Sequence, residues 1–364
     1  MSKPKYSEVE EWIKNEIYRG FFRDGEKIPS ENKLMEKFGY SRQTIRQALH
    51  NLEEAGFLKS VRGSGTFVEM KNFNDENEKK VIAVLMNSLE NHEETEILSG
   101  IETVLAENNC TLSLGVTHNR HRSEYEVMKS LIESNVDGFI INGTKTALIN
   151  PNYELWLKID EHFPCVYTNS GNAMLYDKIP AVACDDIEAG YQAAKYLIER
   201  GHRDISIILR TDSIESHKRY LGYIKALHEA DIPFSDDNVM WCLYEDMEDL
   251  FEQLIEKLFS KNLYKCTAVL CQNNSMVQSL MNFLQKIHLK PYDDVSFLSF
   301  EDSELAEKTR LTCVSYDRRK IGEEAAKLCL KMMKGGKKEN IVIPSKIVGR
   351  DSVRVINREK RTEE

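Results

Sequence analysis

The segment from residue 28 to residue 68 constrains the fold of this chain more than any other stretch. It reads IPSENKLMEKFGYSRQTIRQALHNLEEAGFLKSVRGSGTFV and holds two short helical patterns around a Gly-containing turn. Two short β-type runs around a Gly-rich tetrapeptide follow these patterns. This order predicts a helix-turn-helix followed by a wing, an arrangement that places one helix in a DNA groove.

Local signals set the bounds of the two helices. Ser30 and Ser41 stand where N-caps are expected, and Gly39 and Gly56 stand where the helices should end. Glu31 lies in the first turn of the first helix, where the helix dipole favours an anion. An apolar stripe upstream, together with Tyr6, predicts one more helix behind the pair: Val9, Trp12, Ile13 and Ile17. We therefore expect a compact three-helix winged domain over residues 1–70.

The second helix of the pair has two distinct faces. Its apolar residues recur at helical spacing and should face the core: Ile45, Ala48, Leu49 and Leu52. The other face and the first turn carry residue types that reach phosphates and base edges: Arg42, Gln43, Thr44, Arg46 and Gln47. A solvated surface would explain two arginines on an isolated helix. Here the whole segment agrees with a DNA-binding role.

These residues resemble the GntR-type winged helix-turn-helix over residues 4–68. The matching stretches are P-S-E, F-G-Y-S-R-Q-T-I-R and G-S-G-T-F-V, with Tyr40 where the family usually has Val. The resemblance implies that one group of side chains meets DNA in the major groove, beside the cap residue Ser41: Arg42, Gln43, Thr44 and Arg46. It also implies that Glu31 orients nearby donors. The wing would enter the minor groove or follow the backbone: Arg62, Gly63, Ser64 and Gly65.

The charge of the chain is unevenly distributed. Its formal net charge is −10, yet residues 1–70 carry 12 Lys and Arg against 11 Asp and Glu. Residues 1–70 are therefore net +1, and the rest of the chain is net −11. A local basic face would steer the first domain towards DNA, while an acidic second domain favours solubility.

Composition argues against several other classes of protein. No apolar run is long enough for a transmembrane helix, and MSKPKYSEVE lacks the apolar core of a signal peptide, so we expect a cytoplasmic protein. The eight cysteines form no C-x-x-C pair, and no Cys or carboxylate completes a metal set with His118 and His121. We expect buried free thiols, no metal and no cofactor.

A second domain follows a polar linker. Residues 71–79, KNFNDENEK, lack periodicity, and from residue 80 to residue 364 short β-rich runs alternate with amphipathic helical patterns. Repeated βα units predict an α/β fold with doubly wound parallel sheets. Because this region exceeds one compact sheet domain, we expect two lobes with a ligand cleft at the carboxyl ends of their strands.

Several stretches of this region resemble the LacI/GalR repressors and the periplasmic sugar-binding proteins. They are V-D-G-F-I-I-N (136–142), C-D-D-I-E-A-G-Y-Q-A-A-K-Y-L-I-E-R-G-H-R-D-I (184–205), S-H-K-R-Y-L-G-Y-I-K-A-L (216–227), A-V-L-C-Q-N-N (268–274) and V-S-F-L-S-F-E-D (295–302). Joined to a GntR-type head, such a domain resembles that of the arabinose-operon repressors. The stretch T-K-T-A-L-I-N-P-N (144–152) supports this closer similarity.

The resemblance implies an effector pocket for a sugar. It assigns hydroxyl-binding roles to Arg219, Asn273, Asn274 and Glu301, with Asn274 and Glu301 at positions where Asp is common. Arginine donates to hydroxyls, whereas amides and carboxylates accept from them. Further candidates, for which a structural role in a loop or hinge remains an alternative, are Lys145, Asn169 and Asp185.

These features predict a sugar-responsive transcriptional regulator. We expect a homodimeric repressor that binds double-stranded operator DNA and is released by a small sugar such as L-arabinose. One alternative is the same architecture with another sugar or a sugar phosphate as effector. A solute-binding protein would need an export signal. A sugar-processing enzyme would need a phosphate loop, a nucleophile elbow or paired carboxylates, none of which stands out, so we expect no enzymatic activity.

Overall fold

The computed structural model describes residues 4–18, 21–22, 24–61, 63–69, 79–89, 92–134, 136–245, 253, 255–256 and 266–356. Residues 71–78 of the predicted linker lie outside the described residues, as does Arg62 of the predicted wing. Among the described residues, no helix combines the length and apolar character that crossing a bilayer requires.

The N-terminal part, here called the head, is built from three helices and a two-stranded hairpin. These elements are α1 (Lys5–Tyr18), α2 (Glu31–Phe38), α3 (Arg42–Glu54), β1 (Leu58–Val61) and β2 (Gly65–Val68). The apolar stripes of the three helices meet in one core, which includes Ile13, Leu34 and Ile45. Ser30 and Ser41 cap α2 and α3, and Gly39 adopts the left-handed conformation with φ of 67°. The local signals in the sequence are thus confirmed.

The N-lobe is a parallel sheet with helices on both faces. Its elements in chain order are β3 (Lys80–Met86), α4 (His92–Glu107), β4 (Cys110–Val116), α5 (His121–Glu133), β5 (Gly138–Asn142), α6 (Tyr153–His162), β6 (Cys165–Thr168) and β7 (Ala181–Cys184). The sheet order is β13-β7-β6-β5-β3-β4, where β13 (Ile341–Ile343) comes from the last part of the described chain. Strand β3 contributes Ile82 and Val84 to one core and Ala83 and Leu85 to the other, because both of its faces are covered.

The C-lobe repeats this plan. Its elements are α7 (Asp186–Glu199), β8 (Ile205–Arg210), α8 (Ile214–Glu229), β9 (Val239–Cys242), β10 (Ala268–Cys271), α9 (Asn274–Lys286), β11 (Ser296–Ser299), α10 (Glu304–Lys308) and β12 (Thr312–Tyr316). Its sheet order is β14-β12-β11-β10-β8-β9, where β14 is Ser345–Val348. Among the described pairs of this sheet, only that of β14 with β12 is antiparallel. The predicted α/β class with doubly wound parallel sheets is confirmed.

The chain passes between the lobes three times. It leaves the N-lobe after β7, returns through α11 (Arg318–Met333) to β13 (Ile341–Ile343), and crosses again into β14 (Ser345–Val348). Helix α11 packs on the N-lobe, where Ile321 and Ala325 join the core beneath α4. The carboxyl ends of the parallel strands in both sheets therefore lie near the crossings, where ligands bind in such folds.

Each lobe has one helix pair that packs at glycines. A Cβ atom at Gly322 of α11 would lie 2.0 Å from the carbonyl oxygen of Ile97 in α4. A Cβ atom at Gly222 of α8 would lie 2.0 Å from the carbonyl oxygen of Ile187 in α7. Since both obstacles are backbone atoms, the helices must separate to admit any side chain.

We therefore predict that Gly222→Ala and Gly322→Ala each lower the free energy of unfolding. Forcing extra atoms into a packed contact costs roughly 1–3 kcal/mol. Denaturant unfolding, monitored by circular dichroism, measures the loss. Ser130→Ala on the exposed surface of α5 is the control and should change stability little. Unchanged midpoints in both glycine variants would contradict the close helix contacts.

Candidate nucleic-acid interface and interlobe cleft

Helix α3 presents a polar face to solvent. Arg42, Gln43, Arg46 and Gln47 are exposed, while the apolar residues on the opposite side are buried in the head. The Ser41 hydroxyl caps the helix by accepting from the backbone N–H of Thr44 at 3.3 Å. The first turn of α3 therefore carries both free donors and a fixed orientation, as insertion into a groove requires.

Glu31 braces the arginines of this face. Its carboxylate accepts from Nε of Arg46 at 2.9 and 3.1 Å, and it lies 3.7 Å from Nε of Arg42. Nη2 of Arg42 also donates to Oδ1 of Asn32 at 2.7 Å. Arg46 has 64% of its side chain exposed, so its remaining donors face solvent. Glu31 and Asn32 therefore both contact arginines of this face, and the role of Glu31 in DNA binding stays a prediction.

The wing is a short antiparallel hairpin. Val61 pairs with Gly65, and Gly63 and Gly65 have φ values of 83° and 117°, which only glycine adopts readily. Lys27, which precedes α2, lies across the hairpin, because a Cβ atom at Gly65 would fall 2.4 Å from its Cε. Lys27 is a basic residue beside the wing that the sequence pattern did not identify. Ser64 is exposed at the tip.

The space between the lobes consists of two adjoining cavities. An inner cavity of about 100 Å³ lies between loops that follow strands of both sheets, and an outer cavity of about 560 Å³ opens beside it. Lys145, Asn169 and Arg219 line the inner cavity. Asn273, Asn274 and Glu301 line the outer cavity. Six of the seven predicted effector residues therefore lie around one cleft.

The seventh, Asp185, has the structural role that the sequence left open as an alternative, and an effector role for it stays a prediction. Its carboxylate caps α7 by accepting from the backbone N–H of Glu188 at 3.0 Å, and it lines neither cavity. The neighbouring Asp186 is buried instead and accepts from Nε of Arg219 at 2.9 Å. Because the chain turns into α7 here, one carboxylate points to solvent and the next to the interior.

Burial shapes the electrostatics of this pair. Arg219 and Asp186 are 5% and 3% exposed, and the Arg219 guanidinium also lies 4.8 Å from the centre of the Phe300 ring. Burial raises the pKa of Asp186 despite the neighbouring cation. The guanidinium is therefore held in place by a specific partner and lines the cleft without rotating freely.

The other inner cations are paired as well. Arg210 donates to Asp212 at 3.0 Å, and Nζ of Lys145 donates to Glu245 at 2.6 Å. The sequence pattern missed Arg210 and Asp212, although Arg210 is the last residue of the buried strand β8 and Asp212 lies two residues after it. The rule that ligands lie beyond strand ends would have identified them.

Direct hydrogen bonds join the lobes beside the inner cavity. Nδ2 of the buried Asn119 donates to Oδ2 of Asp212 at 2.9 Å, and Oδ1 of Asn119 accepts from the backbone N–H of Lys145. The backbone N–H of Ile214 donates to Oγ1 of Thr146 at 2.9 Å. The structure is thus in a state in which the two walls of the inner cavity touch.

The outer cavity is fixed by α9 and the loop after β11. Asn273 caps α9 through Met276, and the backbone N–H of Asn274 donates to the Glu301 carboxylate at 2.9 Å. Nδ2 of Asn274 donates to Oγ of Ser303 at 2.8 Å. Burial, and then the charge of Glu93, raise the pKa of Glu301. These groups offer acceptors at the rim of the cleft.

Comparisons with known proteins agree with a DNA-binding head followed by a two-lobed ligand-binding domain. Residues 5–68 match the bacterial regulatory proteins of the gntR family, and residues 194–353 match a periplasmic binding protein-like domain. An arabinose metabolism transcriptional repressor of Geobacillus stearothermophilus is 30% identical over 334 residues, with 91% of each chain covered. One of Halalkalibacterium halodurans is 26% identical over 372 residues, with 98% of each chain covered.

Solved structures show the same fold. Transcription regulator CcpA of Lactococcus lactis superposes with a TM-score of 0.67 at 23% identity, covering 76% of this chain and 100% of its own. At this identity the superposition concerns the architecture alone.

The adjacent residues Asp185 and Asp186 allow a matched test of the buried pair. Asp186→Ala leaves the Arg219 guanidinium buried without its partner, so the free energy of unfolding should fall by roughly 3–5 kcal/mol. Asp185→Ala removes only an exposed N-cap and should cost about 1 kcal/mol. Denaturant unfolding of both variants measures the difference. Equal losses would mean that the Arg219 contact contributes nothing beyond helix capping.

Proposed function

Because this chain belongs to the family of the arabinose metabolism transcriptional repressors, we propose that it represses transcription as a homodimer whose heads bind two operator half-sites. A small sugar, L-arabinose or a related pentose, enters the interlobe cleft and releases the DNA. One observation supports this most directly: a DNA-binding head with a braced arginine face shares a chain with a polar interlobe cleft. Membership of this family makes the chain a sugar-responsive transcriptional repressor.

The head carries the DNA contacts. Arg42, Gln43, Thr44 and Arg46 occupy the exposed first turns of α3, which would lie in the major groove. The ion pair with Glu31 limits the rotamers of Arg46, so less conformational entropy is lost when the arginine contacts a base. The hairpin between Val61 and Gly65 would follow the backbone or enter the minor groove, with Lys27 next to it. The dimer supplies two heads because operator half-sites come in pairs.

The charges of the inner cavity favour an uncharged sugar over a sugar phosphate. Among the described residues, the cations that line it are Lys145, Arg210 and Arg219, and each already has a carboxylate partner within 3.0 Å. Glu93 and Glu215 also line this cavity. A phosphate would have to compete with these carboxylates and lie near further negative charge. Hydroxyl groups instead match the amides of Asn87 and Asn169 and the remaining donors.

We propose binding and release as the only task of the cleft, so a panel of pentoses and hexoses incubated with the protein should be recovered unchanged.

Arg46→Ala should lower operator affinity by roughly 5- to 150-fold, because a lost arginine contact with a guanine edge costs about 1–3 kcal/mol. Glu31→Gln should weaken binding less, since Arg46 keeps its charge and loses only its brace. Fluorescence anisotropy with a duplex selected from random DNA measures both. Ser130→Ala, on the exposed surface of α5 in the N-lobe, is the control. If Arg46→Ala binds the selected duplex as wild type does, α3 is not the reading helix.

Sugar and operator should weaken one another reciprocally. We expect a shift in the thermal midpoint with L-arabinose and none with arabinose 5-phosphate. We also expect L-arabinose to bind roughly 5- to 150-fold more weakly when the operator is present, as a coupling of about 1–3 kcal/mol implies. Titration calorimetry with and without operator measures this factor. Identical sugar affinity in both titrations would disprove release by the sugar, and tighter binding on DNA would make the sugar a co-repressor.

A further inference from the structure

A groove on the outside of the N-lobe is not explained by sugar or DNA binding. It has a volume of about 520 Å³ and runs between α5 and α6. Its walls include Tyr125, Ile132, Leu155 and Phe163, and its lining is mostly apolar. An apolar groove on a protein surface usually marks a binding site for another protein segment, a membrane or a ligand.

The head supplies an aromatic side chain at this groove. Phe21, which lies between α1 and α2, lines the groove together with the N-lobe residues, and its ring centre is 6.1 Å from that of His162 in α6. Phe21 is 61% exposed, whereas the adjacent Phe22 packs against Trp12 inside the head. Phe21 is therefore not needed for the head's own core. Because most of the Phe21 side chain stays exposed, its contact with the groove can form and break reversibly.

One short loop connects this groove to the effector cleft. At its beginning, Lys145 and Thr146 line the inner cavity, and Thr146 accepts from the C-lobe at Ile214. At its end, Pro151 and Asn152 line the groove. Only four residues separate Thr146 from Pro151. If the C-lobe moves relative to Thr146, this short segment can therefore transmit the displacement to the wall of the groove.

A buried carboxylate makes the end of this loop rigid. Glu124 of α5 is 1% exposed and accepts from Nδ2 of Asn150 at 3.0 Å and Nδ2 of Asn152 at 2.7 Å. Oδ1 of Asn150 in turn accepts from the backbone N–H of Asn152. Because α5 forms one wall of the groove, the loop and that wall move as one unit.

We propose that the groove between α5 and α6 is the docking site for Phe21 of the chain's own head, and that the 144–152 loop makes docking depend on the effector. With the lobes in contact, as in this structure, the groove holds the head and fixes its orientation. Docked heads are then not free to match the spacing of operator half-sites. The second half of this proposal rests on the proposed function, since it requires a sugar in the cleft.

Cysteine cross-linking tests the docking directly. All eight native cysteines are buried, so they should react little with a short bis-maleimide. The full-length Phe21→Cys, His162→Cys protein should form a link within one chain, seen as a faster monomer band on a denaturing gel. Phe21→Cys with Arg122→Cys is the control, since Arg122 is on α5 but does not line the groove. A yield no higher than the control, or a link between two chains, would overturn docking of the chain's own head.

The coupling is tested on the same protein. L-Arabinose should raise the cross-linking yield, and operator DNA should lower it. In an otherwise wild-type chain, Phe21→Ser should leave the Kd for L-arabinose without DNA unchanged. Operator DNA should weaken sugar binding by a smaller factor in this variant than in wild type. The two factors should differ by roughly 2- to 30-fold, as expected for a residue that contributes to the coupling. If calorimetry shows that the protein binds L-arabinose, a cross-linking yield that changes with neither L-arabinose nor operator DNA would overturn the coupling.

These outcomes are distinct from failure of the proposed function. A protein that binds no L-arabinose by calorimetry but still gives the intrachain link would retain the docking site and lose only the identity of the effector.

Discussion

Both lobes depend on burying a parallel sheet on its two faces. A strand such as β3 must be apolar at successive positions, because one set of side chains packs under α4 and α11 and the other under α5 and α6. Of the residues that line the cleft, Asn142 and Arg210 are the last residues of strands, and Asn87 and Asn169 directly follow strands. Since the strands of each sheet run parallel, those strand ends gather at one edge. The three crossings between the lobes then hold the two edges face to face, and the cleft between them collects the polar groups.

In the proposed function, the cleft would obtain its selectivity for an uncharged sugar from pairs of charges more than from single residues. Arg219 is fixed by Asp186, Arg210 by Asp212, and Lys145 by a carboxylate across the mouth. A paired cation still donates hydrogen bonds to hydroxyls, but it has little net attraction left for a second anion. The same pairs fix the side chains, which lowers the entropy lost when a sugar binds. Polar, uncharged ligands are the class that such a surface recognises best.

The proposed connection between cleft and head would require only modest energies. Loop 144–152 touches the C-lobe at Thr146 and the α5–α6 groove at Pro151, with Glu124 holding its end. A ligand can shift the head only by its own differential affinity for the open and closed lobes. A contact such as that of Phe21, which leaves most of the ring exposed, fits a shift of this size. A fully buried interface would hold the head in one state permanently.

The sequence by itself determined the features that depend on neighbouring residues. The caps at Ser30 and Ser41 and the left-handed Gly39 follow from backbone hydrogen bonds within one turn. Periodicity likewise predicted the α/β class, because burial of a face acts along a single element. Motif resemblance further directed attention to Arg219 and Glu301, which do line the cleft.

Only the tertiary structure decided which of these groups meet. Asp185 and Asp186 are alike in sequence, yet a turn into α7 exposes one and buries the other against Arg219, 33 positions further along. Lys145 and Glu245 are 100 positions apart, and Asn119 reaches Asp212 across the lobes. Such pairs form because the crossings between the lobes place one sheet edge opposite the other. No local sequence pattern encodes which distant residues will meet there. Local propensity therefore specified the elements, whereas the chain's path between the lobes specified the site.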